Sequence, residues 1–317
     1  MNLVQKMQYL YTVPVLQELN KCWQKFSNLR AICYTFPHSD MFLNILVTKV
    51  PNDRIMSEEQ LIQIMSSDNT VDVTTVKQLW GQNFDSDLVE SCIKMMGRPE
   101  FFFTAIEKLQ LQRDLTNNIH SDHDPIIKNI LMMYRINMIT KDFSNNTNIL
   151  RILSVVFAQY LGILEHPILY HNMFLDTIVE ILILDENTKF DETNLLFILQ
   201  SFGTLCYLGT SVLSIYHTKI VKSLEKIQED AYLSKIFQQE NIATYLFQNM
   251  IINIPSIMNK MNWKRDKSAR FLTRLKFLDL LIEKKQGKDK YFINSTILNT
   301  FIELRDNLEI QKMIKKI

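Results

Sequence analysis

Residues 117 to 129 read NNIHSDHDPIIKN and place two histidines and two aspartates within five positions. Imidazole and carboxylate at such spacing are metal-ligand chemistry. A site of that kind would use His120 and His123 with a carboxylate, and would need further ligands from elsewhere. No HExxH or Glu-x-x-His pair stands on another segment to supply them. The same residues also read as punctuation. Asp124 is a good helix N-cap and Pro125 fits the first helical position, where a missing N–H is no loss. Capping is the reading that needs nothing from outside the segment, so no metal is expected. His166 and His171, five apart, lie about 140° round a helix and cannot share a metal as an i, i+4 pair would.

No other catalytic set emerges. The chain lacks GxSxG, a Walker loop and a dinucleotide fingerprint, and no cysteine carries a nucleophile signature. The expectation is therefore a protein with no cofactor and no catalytic activity. An enzyme with a dispersed site would need a pocket of convergent polar groups around His120, His123, His166 or His171.

Binding chemistry is better represented. In NKMNWKRDKSARFLTRLKF, Lys267, Arg270 and Arg274 stand at i, i+3 and i+7 of an expected helix, with Lys260 and Lys264 on the same side. Phe271, Leu275, Leu278 and Ile282 form the adjoining apolar stripe. A row of cations beside a buried edge can track phosphates without reading bases, so non-specific DNA is one expected partner. A solvated helix face is the plainer alternative. From Ile257 to Ile317 the chain holds fifteen Lys or Arg against seven Asp or Glu, although its overall net charge is only +1. KKQGKDK at 284 to 290 adds charge in an expected loop.

A second binding candidate is the first helix, which Pro14 opens and Pro37 ends. Its stripe of Leu16, Leu19, Trp23 and Phe26 could dock on a protein partner, or pack on the chain's own domain. A third is a trio of short helices, SEEQLIQIMSS, VTTVKQLWGQ and SDLVESCIKMM. It suggests a helix-turn-helix, but its second helix carries only Lys77 for contacting DNA.

The elements that must position these residues are helices. Glycine and proline number only six and seven in 317 residues, too few for an all-β fold or for glycine-rich phosphate loops. Ser57 to Gln60 form a capping box, and Gly81 and Gly97 sit where helix C-caps belong. Asp85 or Ser86 caps SDLVESCIKMMG, and Pro99 fits the first turn of PEFFFTAIEKLQLQRDL. From residue 125 onward, apolar units of roughly 18 to 22 residues follow one another, and a pair of them spans the ~40 residues of a HEAT-like repeat. The expected fold is all-α, either an irregular HEAT/armadillo-like array or a large α-bundle. Expected parts are an N-terminal helical segment (1–36), a small helical lobe (37–116) and a main stacked-helix domain (117–317).

Thr193 to Thr218 is uncharged and long enough to span a bilayer. Six hydroxyl or amide side chains would enter hydrocarbon, so two buried helices broken near Gly209 are expected, and no membrane. Cys22, Cys33, Cys92 and Cys206 are scattered, which reads as free thiols in a reducing compartment. The N-terminus lacks the pattern of a signal peptide.

Between about Phe101 and Ile252, the segments EKLQLQRDL, YRINMITKDFSNNTNILRILSVVFAQYL, FLDTIVEILIL, FILQSFGTLCYLGTSVL and QQENIATYLFQ occur in an order and spacing similar to one known family. The family is the meiosis-specific accessory factors of double-strand-break formation, the "Mei-four" family. That resemblance implies a non-catalytic, HEAT-like nuclear scaffold. Such a scaffold binds a partner through its N-terminus and joins a DNA-bound assembly that recruits the cutting enzyme during recombination. The alternative is a generic cytoplasmic or viral helical-repeat interaction module with no nucleic-acid contact.

Overall fold

The computed structural model describes Met7 and residues 9–35, 70–164, 191–239, 242–286 and 289–306. The SEEQ box, His166, His171 and residues 37–69 of the expected 37–116 lobe lie outside the described residues. The fold is all-α, with twelve helices and one small sheet among the described residues.

Helix α1 (Val13–Thr35) packs along α7 (Glu192–Glu229), and this pair forms the spine of the fold. Between them in sequence lie α2 (Thr70–Leu79), α3 (Ser86–Met95), α4 (Ala105–Ile119), α5 (Pro125–Thr140) and α6 (Asn146–Tyr160). The α5/α6 hairpin is apolar nearly all round, with Ile127, Ile130, Met133, Leu150, Leu153 and Phe157 fully buried. Such a pair belongs in the centre of a fold rather than on its surface.

Local signals set most helix ends. Asp124 caps α5 by accepting from Ile126 N–H at 2.8 Å, with Pro125 in the first turn. Asp85 caps α3, and Gly81 and Gly97 take positive φ after α2 and α3, as their positions predict. Helix α4 starts later than Pro99 suggests. Thr104 and Glu107 form a reciprocal capping box there, satisfying two orphan N–H groups where Pro99 would satisfy none.

The break expected near Gly209 is absent. Helix α7 runs unbroken for 38 residues, and Gly209 is simply buried within it. The hydroxyls in this stretch return to their own helix: Ser201, Thr204, Thr210, Ser211 and Ser214 each donate to the carbonyl four residues back. The helix is long and apolar enough to cross a membrane, yet 67% of its most apolar window is buried inside the fold. At Gly203 side chains of α1 come close to the backbone of α7. A Cβ there would come within 3.0 Å of Lys25 Nζ and 3.5 Å of Cys22 Sγ.

After α7 come α8 (Ala231–Gln239), α9 (Ile242–Gln248), β1 (Ile251–Ile252), α10 (Ile254–Met261), α11 (Arg265–Phe277), β2 (Leu281–Gln286), β3 (Asp289–Asn294) and α12 (Ser295–Asp306). The strands form an antiparallel sheet in the order β1-β3-β2. Two expected long helices are thus subdivided. The single helix expected at NIATYLFQNMIINIPSIMNKM is α9, β1 and α10, and the C-terminal part of SARFLTRLKFLDLLIEKK is a strand.

Candidate functional site

The part of the fold that gathers the basic residues is the C-terminal unit. Asn253 caps α10, accepting from Ser256 N–H at 2.8 Å while its own N–H donates to Ser256 Oγ. Pro255 lies in the first turn, and Asn262 ends the helix with φ 51°, a left-handed conformation that asparagine tolerates. Three residues later α11 begins. Trp263 fills the angle between the helices, buried against Phe271 at 5.4 Å between ring centroids. Ser268, Phe271, Leu272 and Leu275 form the buried face of α11. The β2–β3 hairpin follows, with Ile282 opposite Ile293 and Gln286 opposite Asp289. Two helices joined by a short turn, then an antiparallel hairpin, make a helix-turn-helix with a wing.

Hydrogen bonds lock the unit together. Buried Asn294 donates from Nδ2 to Leu246 O at 2.7 Å, and its Oδ1 accepts from Thr296 and Ile297 N–H to cap α12. Glu283 on β2 receives Lys276 of α11 at 2.6 Å and Lys290 of β3 at 2.8 Å. Hydrogen bonds from Lys276, then Lys290, hold its carboxyl down at about 2.

The expected cations do not form one free row. Lys260 ends α10 and Lys264 precedes α11, both exposed and apart from the groove described below. Lys267 lies over the Trp263 ring at 3.9 Å. Arg274 donates from Nε to Asp230, whose carboxylate also caps α8 by accepting from Tyr232 and Leu233 N–H. Burial alone would raise the Asp230 carboxyl. The Leu233 N–H and Arg274 outweigh it and hold the group below its ordinary value. Lys267 and Arg270 turn instead toward α8, where with Tyr232, Lys235 and Ile236 they line a groove of about 450 Å³. Sequence reasoning missed Lys235 and Tyr232. They stand more than thirty positions upstream on another helix, and no spacing rule links them to α11.

The N-terminal candidate is distributed differently. Leu19 and Phe26 are buried in the spine, and Trp23 is half-buried with its Nε1 donating to Asp124 Oδ2 at 2.8 Å. Of the four, Leu16 alone is largely exposed, at 48%. Asp124 therefore both caps α5 and anchors α1. Beside it the Tyr11 ring stacks on His123 at 5.9 Å, with the two polar atoms 3.2 Å apart. Burial, then the charge of Lys128, pulls the His123 imidazole below its usual range. His120 is exposed at the end of α4, and among the described residues no three His, Cys, Asp or Glu side chains converge as ligands.

Residues 220–297 match the family model of the C-terminal domain of SoFic-like protein adenylyltransferases. The match covers about a quarter of the chain, beginning in the last third of α7 and ending in α12. No curated protein matches the sequence. The match overturns the meiotic resemblance, whose last segment, QQENIATYLFQ, falls inside the matched unit. Those apolar helical segments share size and order with many helical proteins, so they carried little specificity. The expectations of a meiotic or generic non-catalytic scaffold and of a recombination role are corrected with it, because the matched family is named for an enzyme.

Proposed function

We propose that this chain acts in protein adenylylation, with its helix-turn-helix and wing as the module that recognises the protein to be modified. The reading rests on one observation: the match to an adenylyltransferase C-terminal domain takes in α8 to α11 and all three strands of the sheet, from the end of α7 to the start of α12. In adenylylation a protein hydroxyl attacks the α-phosphorus of ATP. The new P–O bond forms to the protein, the bond to the bridging oxygen breaks, pyrophosphate leaves and a base takes the hydroxyl proton. The groove between α8 and α11 suits binding in that scheme. Its lining offers cations, a phenol and an apolar wall, and no carboxylate or imidazole to receive the proton. In this reading the groove binds the target and takes no part in bond making.

The test is transfer of label. The full chain, incubated with a protein extract and ATP labelled at the α-phosphate, should leave label covalently on protein, whereas with γ-labelled ATP it should add none to that of a control without the chain. Label no higher than in a control without the chain would rule the reading out.

A further inference from the structure

The charge of the C-terminal unit is concentrated. Residues 260 to 294 hold eleven Lys or Arg against four Asp or Glu. Much of that charge is already engaged within the fold: Arg274 with Asp230, Lys276 and Lys290 with Glu283, and Lys267 over Trp263. A concave site gathers Arg270 with Lys235 from outside this stretch, and Lys267 edges it while lying over Trp263. Lys235 of α8 and Lys267 and Arg270 of α11 face one groove, walled by Tyr232 and Ile236. A groove of about 450 Å³ between two helices admits a side chain or an extended strand of peptide, and is too narrow for a duplex.

At 100° per residue, Asp266, Thr273 and Phe277 lie within about 60° of Arg270, and Phe277 is 78% exposed. An exposed aromatic beside a cationic groove is the equipment of a protein interface, where aromatic and arginine anchors dominate binding.

We propose that the α8/α11 groove binds an acidic segment of a protein, its carboxylates paired by Lys235, Lys267 and Arg270 and an apolar side chain set against Tyr232 and Ile236. Charge complementarity selects the occupant. The inference rests on the adenylylation reading only in making that protein the one to be modified.

The experiment uses the full chain and a fluorescent peptide rich in Asp and Glu around one Phe, read by anisotropy without ATP. Binding should weaken as salt rises. Lys235→Glu and Arg270→Glu should each lower affinity by about tenfold or more, while Lys284→Ala on the wing leaves it unchanged. A peptide with Asn and Gln in place of the acids should not bind. Equal binding of that neutral peptide, or indifference to both reversals, would overturn the proposal. So would a mixed-sequence DNA duplex that displaces the peptide and loses its own affinity on the same reversals. Because binding is read without ATP, a failure of label transfer leaves this result standing. Label transfer without peptide binding removes the groove alone.

Discussion

Individual side chains here act mostly by where burial puts them. Cys22 is fully buried in the spine with its Sγ–H aimed at Leu199 O, 2.9 Å away. Burial, then the Glu18 charge, pushes its thiol up to about 12, and burial drives Cys206 well above its ordinary range. Thiolate is the nucleophilic form, so both thiols are inert in the folded chain. Site-resolved mass spectrometry after iodoacetamide at pH 8 should find neither Cys22 nor Cys206 modified until denaturant is added; native labelling of either would contradict this packing. Glu283 shows the converse case, a carboxyl held at about 2 by two lysines. An unfolded glutamate titrates near 4.3, so the pair's stabilisation is complete above roughly pH 5 and is lost as pH falls toward 2. Its lysines are half exposed, at 48% and 51%, so screening keeps the contribution below about 1 kcal/mol. Protection of the β2 and β3 amides, measured relative to their intrinsic exchange rates, should fall over that window, and Glu283→Gln should remove the acid-sensitive part.

At the scale of elements, what could be read in the sequence was helix punctuation. Asp124–Pro125, Asp85, Gly81 and Gly97 sit where their side chains or free φ are needed, because caps depend on neighbours a few residues away. The wing was not read, although LIEKKQGKDKYFIN carries its signal: a glycine between two runs, the second rich in Tyr, Phe and Ile. The lysines made that stretch look like a charged loop, and the strand that completes the sheet is only Ile251–Ile252. The groove was half legible, since Lys267 and Arg270 share a helix face while Lys235 reaches them only through tertiary packing. The stop of α11 was also hidden. Leu280 N–H bonds Leu275 O and Asp279 N–H bonds Lys276 O, a Schellman motif with Asp279 at φ 59° in place of the usual glycine. Relieving that left-handed strain with Asp279→Gly should raise stability by about 0.5–1 kcal/mol, read as a higher denaturant midpoint with an unchanged slope. A lower midpoint would mean that the aspartate makes a contact worth more than its strain.

Over the whole molecule, the matched unit is not a separable appendage. Tyr216 in the middle of α7 donates to Phe247 O in α9, Ser223 meets Thr296 at 2.9 Å, and Lys219 pairs with Glu303 at 2.7 Å. The same helix carries α1 on another side, so one continuous core runs from Met7 to Leu298. Val15, Leu19, Cys22, Phe26 and Leu29 are the buried face of α1. At about 1.5–3 kcal/mol for each large apolar side chain, removing the helix forfeits on the order of 10 kcal/mol, comparable to the whole stability of a typical domain. A chain lacking residues 1–35 should therefore be insoluble or show no cooperative melting transition. Leu16→Asp, on the exposed side, should leave the melting temperature within a degree or two, whereas Phe26→Ala should cost about 3–5 kcal/mol. A detachable docking helix would give the opposite pattern: a truncated chain that melts normally and has lost only a partner. Circular dichroism melts of the three variants decide between a helix that holds α7, and through it the adenylyltransferase-like module, and one that merely displays a binding stripe.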